Sequence, residues 1–98
     1  MGKYDIFLKP SAVKDMDRLR RFDAQAIVGV MEECLGDEPA RESRSRIKRL
    51  RGISDPDYRL RAGEYRVFYS IDETVGRVNV LRVLHKGETQ QYYQELKP

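Results

Sequence analysis

The segment from Tyr58 to Ile71 places the strongest constraint on how this chain folds, because its side chains alternate on either side of Gly63 and Glu64. Strict alternation is typical of a β-strand, whose successive side chains point to opposite faces. A two-residue loop that begins with glycine suits a type II′ turn, which joins antiparallel strands. The segment is therefore predicted to form a hairpin in which Arg61 lies opposite Arg66.

This register gives the hairpin two different faces. One face is mainly apolar and carries Tyr58, Leu60, Ala62, Tyr65, Val67, Tyr69 and Ile71. The other, called the arginine face below, carries Arg59, Arg61, Arg66, Phe68 and Ser70. Like charges opposed across a strand pair destabilise it, so this face is expected to bind something anionic. The alternative is a solvated face whose arginine stems cover apolar surface.

The basic residues are concentrated in one part of the sequence. Residues 41–66 contain nine Lys and Arg against four Asp and Glu, whereas the whole chain has a net charge of only +3. Such a cationic zone favours a phosphate backbone or an acidic protein over a neutral metabolite. Outside the hairpin it supplies five candidate nucleic-acid contacts: Arg44, Arg46, Lys48, Arg49 and Arg51. A solvated basic linker is the alternative for this stretch.

The length of the chain predicts one domain over residues 1–98, with a single modest core and a site on its surface. Cys34 is the one cysteine, which excludes an internal disulfide and fits a reducing cytosol. No apolar run approaches the length of a membrane span, and no signal-peptide pattern opens the chain. We therefore expect a cytoplasmic protein that does not contact the membrane.

Shorter patterns predict the remaining elements. Tyr4–Leu8 alternates as a strand does, and two helices follow it, with Ser11 and Asp23 as their N-caps. The apolar stripe of the second helix places Met31 and Cys34 in the core. The run Val78–Leu84 is apolar on both sides, so it should form an interior strand. A short polar helix or turn ends the chain, which makes four predicted strands in all.

The side chains available restrict the chemistry. The sequence shows no paired carboxylates, no Cys–His arrangement and no metal-ligand spacing, so no metal site is predicted. Arginine, lysine, one histidine and tyrosine suit metal-free cleavage of RNA, in which the ribose 2′-OH attacks the adjacent phosphate. That reaction needs a base, an acid and fixed cations. His85 is the only side chain of a type that ordinarily exchanges protons near neutral pH, although a structural role is its alternative.

The order of these elements, the motif L-R-G at 50–52 and the run Y-R-L-R-A-G-E-Y-R-V-F-Y at 58–69 resemble the RelE/ParE toxin superfamily over essentially the whole chain. The resemblance implies an α+β fold, in which two N-terminal helices pack on a small, twisted, mainly antiparallel four-stranded sheet. It also implies the toxin of a toxin–antitoxin pair. An acidic, RelB-like antitoxin would hold it inactive, and operator DNA would be met only through that antitoxin.

Within this superfamily, RelE-like toxins cleave mRNA in the ribosomal A site, and ParE-like toxins poison DNA gyrase. By resemblance to the RelE branch, four residues take catalytic positions: Arg59, Arg61, Arg66 and Tyr93. Gly87 stands where RelE has the arginine taken as general acid, so Lys86 or His85 has to supply that proton. The prediction is a ribosome-dependent mRNA endonuclease without a cofactor, whose five other basic residues contact RNA and the ribosome. A gyrase inhibitor and an inactive member kept for antitoxin or operator binding are the alternatives.

Overall fold

The structure is a computed structural model that describes residues 3–97. Its elements are β1 (Asp5–Leu8), α1 (Pro10–Asp17), α2 (Arg21–Leu35), β2 (Ile47–Arg49), β3 (Tyr58–Ala62), β4 (Tyr65–Asp72), β5 (Arg77–His85), a 3₁₀ turn (Lys86–Glu88) and α3 (Thr89–Leu96). The strands form one sheet in the order β1-β5-β4-β3-β2. β1 is parallel to β5, and every other pair is antiparallel. The predicted α+β class is confirmed, but the sheet has five strands and not four.

β2 is the strand that the sequence pattern did not reveal. It has three residues, of which only Ile47 is apolar and buried, so its alternation is too short to recognise. Ile47 pairs with Leu60 of β3, and Lys48 pairs with Arg59. Part of the predicted loop between the helices and the hairpin is therefore an edge strand. Its pairing brings basic residues beside the arginine face.

The hairpin of β3 and β4 has the predicted register. Arg61 lies opposite Arg66, and Ala62 lies opposite Tyr65. Gly63 has a φ of +62°, and no other kind of residue in the described range has a positive φ. That combination fits a type II′ turn, in which only the first central residue needs the left-handed region.

The sheet is covered on both faces. α1 packs chiefly on β5 and α2 on β3, and Ile27, Met31 and Leu35 of α2 are buried with apolar residues of β3, β4 and β5. Cys34 is half-buried at the margin of this core. On the arginine face, α3 forms a second, smaller cluster that consists of Phe68, Leu84 and Tyr92. β5 lies between β1 and β4, so the prediction of an interior strand is confirmed.

The two N-terminal helices begin earlier than predicted. α1 starts at Pro10 and α2 at Arg21, and neither residue before them provides a side-chain cap. Proline is favoured at the first helical position because its fixed φ suits a helix and its missing N–H would have no partner there. Ser11 and Asp23 lie inside the first turns, so their prediction as N-caps is wrong. Across residues 3–97, none of the helices is long and apolar enough to cross a membrane.

A β-bulge in β5 changes which side chains share a face. The pairing of β4 with β5 shifts after Phe68, so that Leu81 has no partner. An extra residue reverses the alternation of a strand beyond it. Leu84 consequently takes the arginine face, and His85, paired with Tyr65, takes the opposite one.

Candidate nucleic-acid interface

Six basic side chains surround a small cleft where β2, β3 and β4 meet. The cleft has a volume of about 120 Å³ and is called the cation cleft below; its walls are Arg44, Ser45, Arg46, Lys48, Arg59, Arg61 and Arg66. Among residues 3–97, no carboxylate forms an ion pair with any of these cations. The same residues contain no group of three His, Cys, Asp or Glu side chains that could hold a metal ion. Cations that repel one another without a counter-charge favour the binding of an anion.

The guanidinium of Arg66 is fixed by the hairpin turn. Its Nη1 donates to the carbonyl oxygens of Gly63 and Tyr65, each over 2.9 Å. Burial lowers the pKa of Arg66, and the positive charges of Arg59 and Arg61 lower it further. A cation that is disfavoured in this way is stabilised when an anion arrives. The positive charges of the arginine face therefore favour the binding of a negatively charged ligand.

α3 brings the hydroxyl of Tyr93 to Arg59. Nη1 of Arg59 donates to Oη of Tyr93 over 3.3 Å, and the Tyr93 ring lies edge-on to Phe68 with its centroid 5.7 Å away. Nε of Arg59 is buried and has no hydrogen-bond partner in the described part of the chain. A buried donor without a partner is costly, so the Arg59 side chain is held in an unfavourable environment. Arg59 thus joins the cation cleft to a phenolic oxygen.

Tyr92, in contrast, packs in the smaller core. It is 8% exposed, and its ring lies 4.8 Å from that of Phe68, centroid to centroid. Burial raises the pKa of Tyr92 to about 12. Of the two neighbouring tyrosines, Tyr93 is therefore the one whose oxygen meets the arginines.

His85 lies away from the cation cleft and closes the end of β5. Its Nδ1 accepts a hydrogen bond from the N–H of Gly87 over 3.1 Å, and its own N–H donates to Oε1 of Glu88 over 3.0 Å. The ring is edge-on to Tyr65, with the centroids 5.6 Å apart. These contacts form a reciprocal cap on the 3₁₀ turn. The structure therefore does not bring His85 together with the arginines and Tyr93.

Lys86 lies at the hairpin turn. Its Nζ is 3.1 Å from Oε2 of Glu64, and its backbone N–H donates to the Glu64 carbonyl over 2.8 Å. The hydrogen bond from Lys86 lowers the pKa of Glu64. Both side chains are more than half exposed, at 51% and 63%, so solvent weakens this ion pair. Lys86 can accordingly exchange Glu64 for another anion near Arg66, which is bound to the same turn.

The five basic residues predicted before the hairpin border two adjoining cavities. Arg44, Arg46 and Lys48 line the cation cleft. A wider cavity of about 330 Å³, called the outer cavity below, is lined by Lys48, Arg49, Leu50, Arg51, Ile53, Arg59, Gln90, Tyr93 and Lys97. Because Lys48 and Arg59 line both, the two cavities form one continuous basic surface.

Sequence analysis did not single out two residues that hold α3 in place. Asp15 is 7% exposed and accepts hydrogen bonds from Nε and Nη2 of Arg82, over 2.7 and 3.0 Å. It also accepts one from the N–H of Val83 over 2.9 Å. The Arg82 guanidinium lies over the ring of Tyr92, 5.6 Å from its centroid. The sequence offered one signal for this contact, because Arg82 is a charged residue within the apolar run Val78–Leu84.

Comparisons with known proteins identify the family and the fold. Residues 6–90 match the family described as the ParE toxin of the type II toxin–antitoxin system parDE. A chain of the RelBE2 toxin–antitoxin complex from Mycobacterium tuberculosis is 30% identical, with a TM-score of 0.70 over 85% of this chain and 98% of that one. For the RelE–RelB complex of Pyrococcus horikoshii, the identity is 26% and the TM-score 0.69, over 87% and 97% of the two chains. The intact RelBE complex of E. coli gives 26% and 0.64, over 84% and 95%. No curated protein matches the sequence.

Proposed function

Because the chain belongs to the ParE toxin family of type II toxin–antitoxin systems and has a RelE-like fold, we propose that it is a ribosome-dependent mRNA endonuclease. The observation that supports this best is the hydrogen bond between Arg59 and Tyr93 beside a cleft of unpaired cations. A toxin that acted on gyrase by binding alone would not need a phenolic oxygen next to an anion site.

In the proposed reaction, the cation cleft receives the scissile phosphate. Attack by the 2′-OH places extra negative charge on the phosphate oxygens. Arg66 is held by the hairpin turn before the reaction, so it stabilises this charge without reorganising in the transition state, and Arg61 lies opposite it in the hairpin. The planar guanidinium also matches phosphate oxygens in pairs. Loss of one such donor typically slows a reaction by about 10²- to 10³-fold.

We assign the two proton transfers to Tyr93, which contacts Arg59 of the cleft, and to Lys86, which lies at the hairpin turn that holds Arg66. The Tyr93 oxygen takes the proton of the 2′-OH, because Tyr93 is the tyrosine whose oxygen meets the cations. Lys86 protonates the leaving 5′ oxygen after it releases Glu64. His85, the other acid that the sequence predicts, lies on the face of the sheet opposite the arginines, which favours Lys86.

The partner that this charge pattern favours is an acidic antitoxin. The similar structures from M. tuberculosis, P. horikoshii and E. coli are complexes of RelE-type toxins with their RelB antitoxins. For this chain, we propose that an antitoxin segment covers the arginine face with its carboxylates or displaces α3. Either contact would keep RNA out, and operator DNA would be bound by the antitoxin.

Purified protein and ribosomes programmed with mRNA test the proposal. Wild-type protein should cut the mRNA on ribosomes, and Arg66→Ala should lower the single-turnover rate at least about tenfold. Arg41→Ala is the matched control, because Arg41 is an exposed arginine paired with Glu38 outside the cleft. Equal rates for Arg66→Ala and wild type would remove the arginine face from the mechanism.

Gyrase inhibition is the second candidate, and the surroundings of position 87 favour it. Gly87 offers no side chain as an acid, and His85 lies on the opposite face of the sheet. The cleft thus has fewer proton donors than RNA cleavage would use. Intact mRNA on programmed ribosomes, together with loss of supercoiling by gyrase, would select this function. No effect in either assay, with tight antitoxin binding retained, would select the inactive binding protein.

A further inference from the structure

The outer cavity differs in chemistry from the cation cleft that it adjoins. Every side chain around the cation cleft is polar. The outer cavity is nearly three times as large, at about 330 Å³ against 120 Å³, and its wall includes the half-buried side chains of Leu50, Ile53 and Tyr93. The exposed amide of Gln90 stands at its border. One surface therefore offers an anion site beside a wider cavity that combines apolar side chains, basic side chains and a hydrogen-bonding amide.

A single nucleotide has these two parts in the same order, a phosphate joined to a flat apolar base with polar edges. We propose that the outer cavity binds an unstacked nucleobase whose phosphate lies in the cation cleft, and that Gln90 reads the edge of that base. This inference rests on the proposed function for its RNA substrate and names the subsite that would select the cleavage position.

General features of RNA recognition explain the choice of these residues. Unstacked bases bind to aromatic and apolar side chains, and their edges are identified by hydrogen bonds. The Tyr93 ring is fixed by Phe68, so it provides a rigid wall. A glutamine amide presents one donor and one acceptor side by side, which match the N7 and N6 positions of adenine. Adenine is therefore the base that this subsite should prefer.

Nucleotide binding in solution tests the inference without requiring cleavage. The ¹⁵N-labelled full chain is titrated with AMP, UMP and ribose 5-phosphate, and the shifts are followed by NMR. All three ligands should shift the backbone amides of Lys48 and Arg59. AMP should also shift the Gln90 side-chain amide, and it should bind at least about fivefold more tightly than ribose 5-phosphate.

Two glutamine variants separate base recognition from a general effect on α3. Gln90→Leu should bring the affinities for AMP and UMP together. Gln91→Leu is the control, because Gln91 is exposed on the same helix but lines a different cavity, beside Arg82 and Glu95. It should keep the preference for AMP.

Two results would overturn the inference: ribose 5-phosphate that binds as tightly as AMP, or a Gln90→Leu variant that still prefers AMP. Wild-type protein that binds AMP as described but cuts no mRNA on ribosomes would refute the endonuclease and support the nucleobase site. The two proposals therefore fail separately.

Discussion

Replacing Asp15 with alanine should destabilise the fold and loosen α3. The Asp15 carboxylate accepts three hydrogen bonds, from Nε and Nη2 of Arg82 and from the N–H of Val83. Alanine removes all three acceptors but leaves the donors in place. Arg82 would then no longer be fixed over the ring of Tyr92, which anchors α3 to the sheet.

Two contributions determine the size of the effect. The N–H of Val83 is buried, and leaving such a donor without an acceptor costs about 1–3 kcal/mol. The Arg82 side chain is 30% exposed and can regain water, so its lost pairing adds about 1–2 kcal/mol, less than a fully buried ion pair would. We expect a total of about 3 kcal/mol, which lowers Tm by about 12–24 °C in a domain of this size.

Urea and thermal unfolding, followed by circular dichroism, measure this loss. Asp17→Ala is the control, because Asp17 is exposed on the same helix, and its effect should stay within about 0.5 kcal/mol. Adding Arg82→Met to Asp15→Ala should recover part of the loss, since no unpaired cation then remains. A loss below about 1 kcal/mol for Asp15→Ala would refute the reasoning.

Three further predictions concern the tyrosines, the acid and pH. Tyr93→Phe should slow single-turnover cleavage at least about tenfold at unchanged Tm, whereas Tyr92→Phe should leave the rate unchanged; equal rates for the two variants would contradict the assignment of the base. Lys86→Met should slow cleavage more than His85→Gln in the same assay, and the reverse order would make His85 the acid. Lys86 lowers the pKa of Glu64, so the ion pair between them stabilises the folded protein above pH 4.5, the ordinary pKa of a glutamate. This stabilisation is lost as pH falls through the lowered pKa. The free energy of unfolding in urea should therefore differ between wild type and Glu64→Gln only above that pH range. A difference that does not depend on pH would contradict the ion pair.

The arginine face was predictable because its causes are local. Alternation around Gly63 determines the register, and the register alone places Arg59, Arg61 and Arg66 on one side of the hairpin. No distant contact is needed for this result. The same reasoning assigned the apolar face to the core.

The rest of the site depends on contacts between distant parts of the chain. β2 is a strand because Ile47 reaches the core beside Leu60, and its own three residues carry no recognisable pattern. Asp15 and Arg82 are 67 positions apart, so no local spacing links them. The unpaired Leu81 is part of an apolar run with no mark of a bulge, yet it moves His85 to the other face. Packing of α3 against the sheet likewise determines which tyrosine reaches Arg59.

The most direct test of the central claim is the mapping of mRNA 5′ ends in cells that express the protein. Wild type should produce new 5′ ends within translated mRNAs, Tyr93→Phe at matched expression should produce few, and supercoiling by gyrase should be unchanged in both. Intact mRNA with inhibited gyrase would contradict the account.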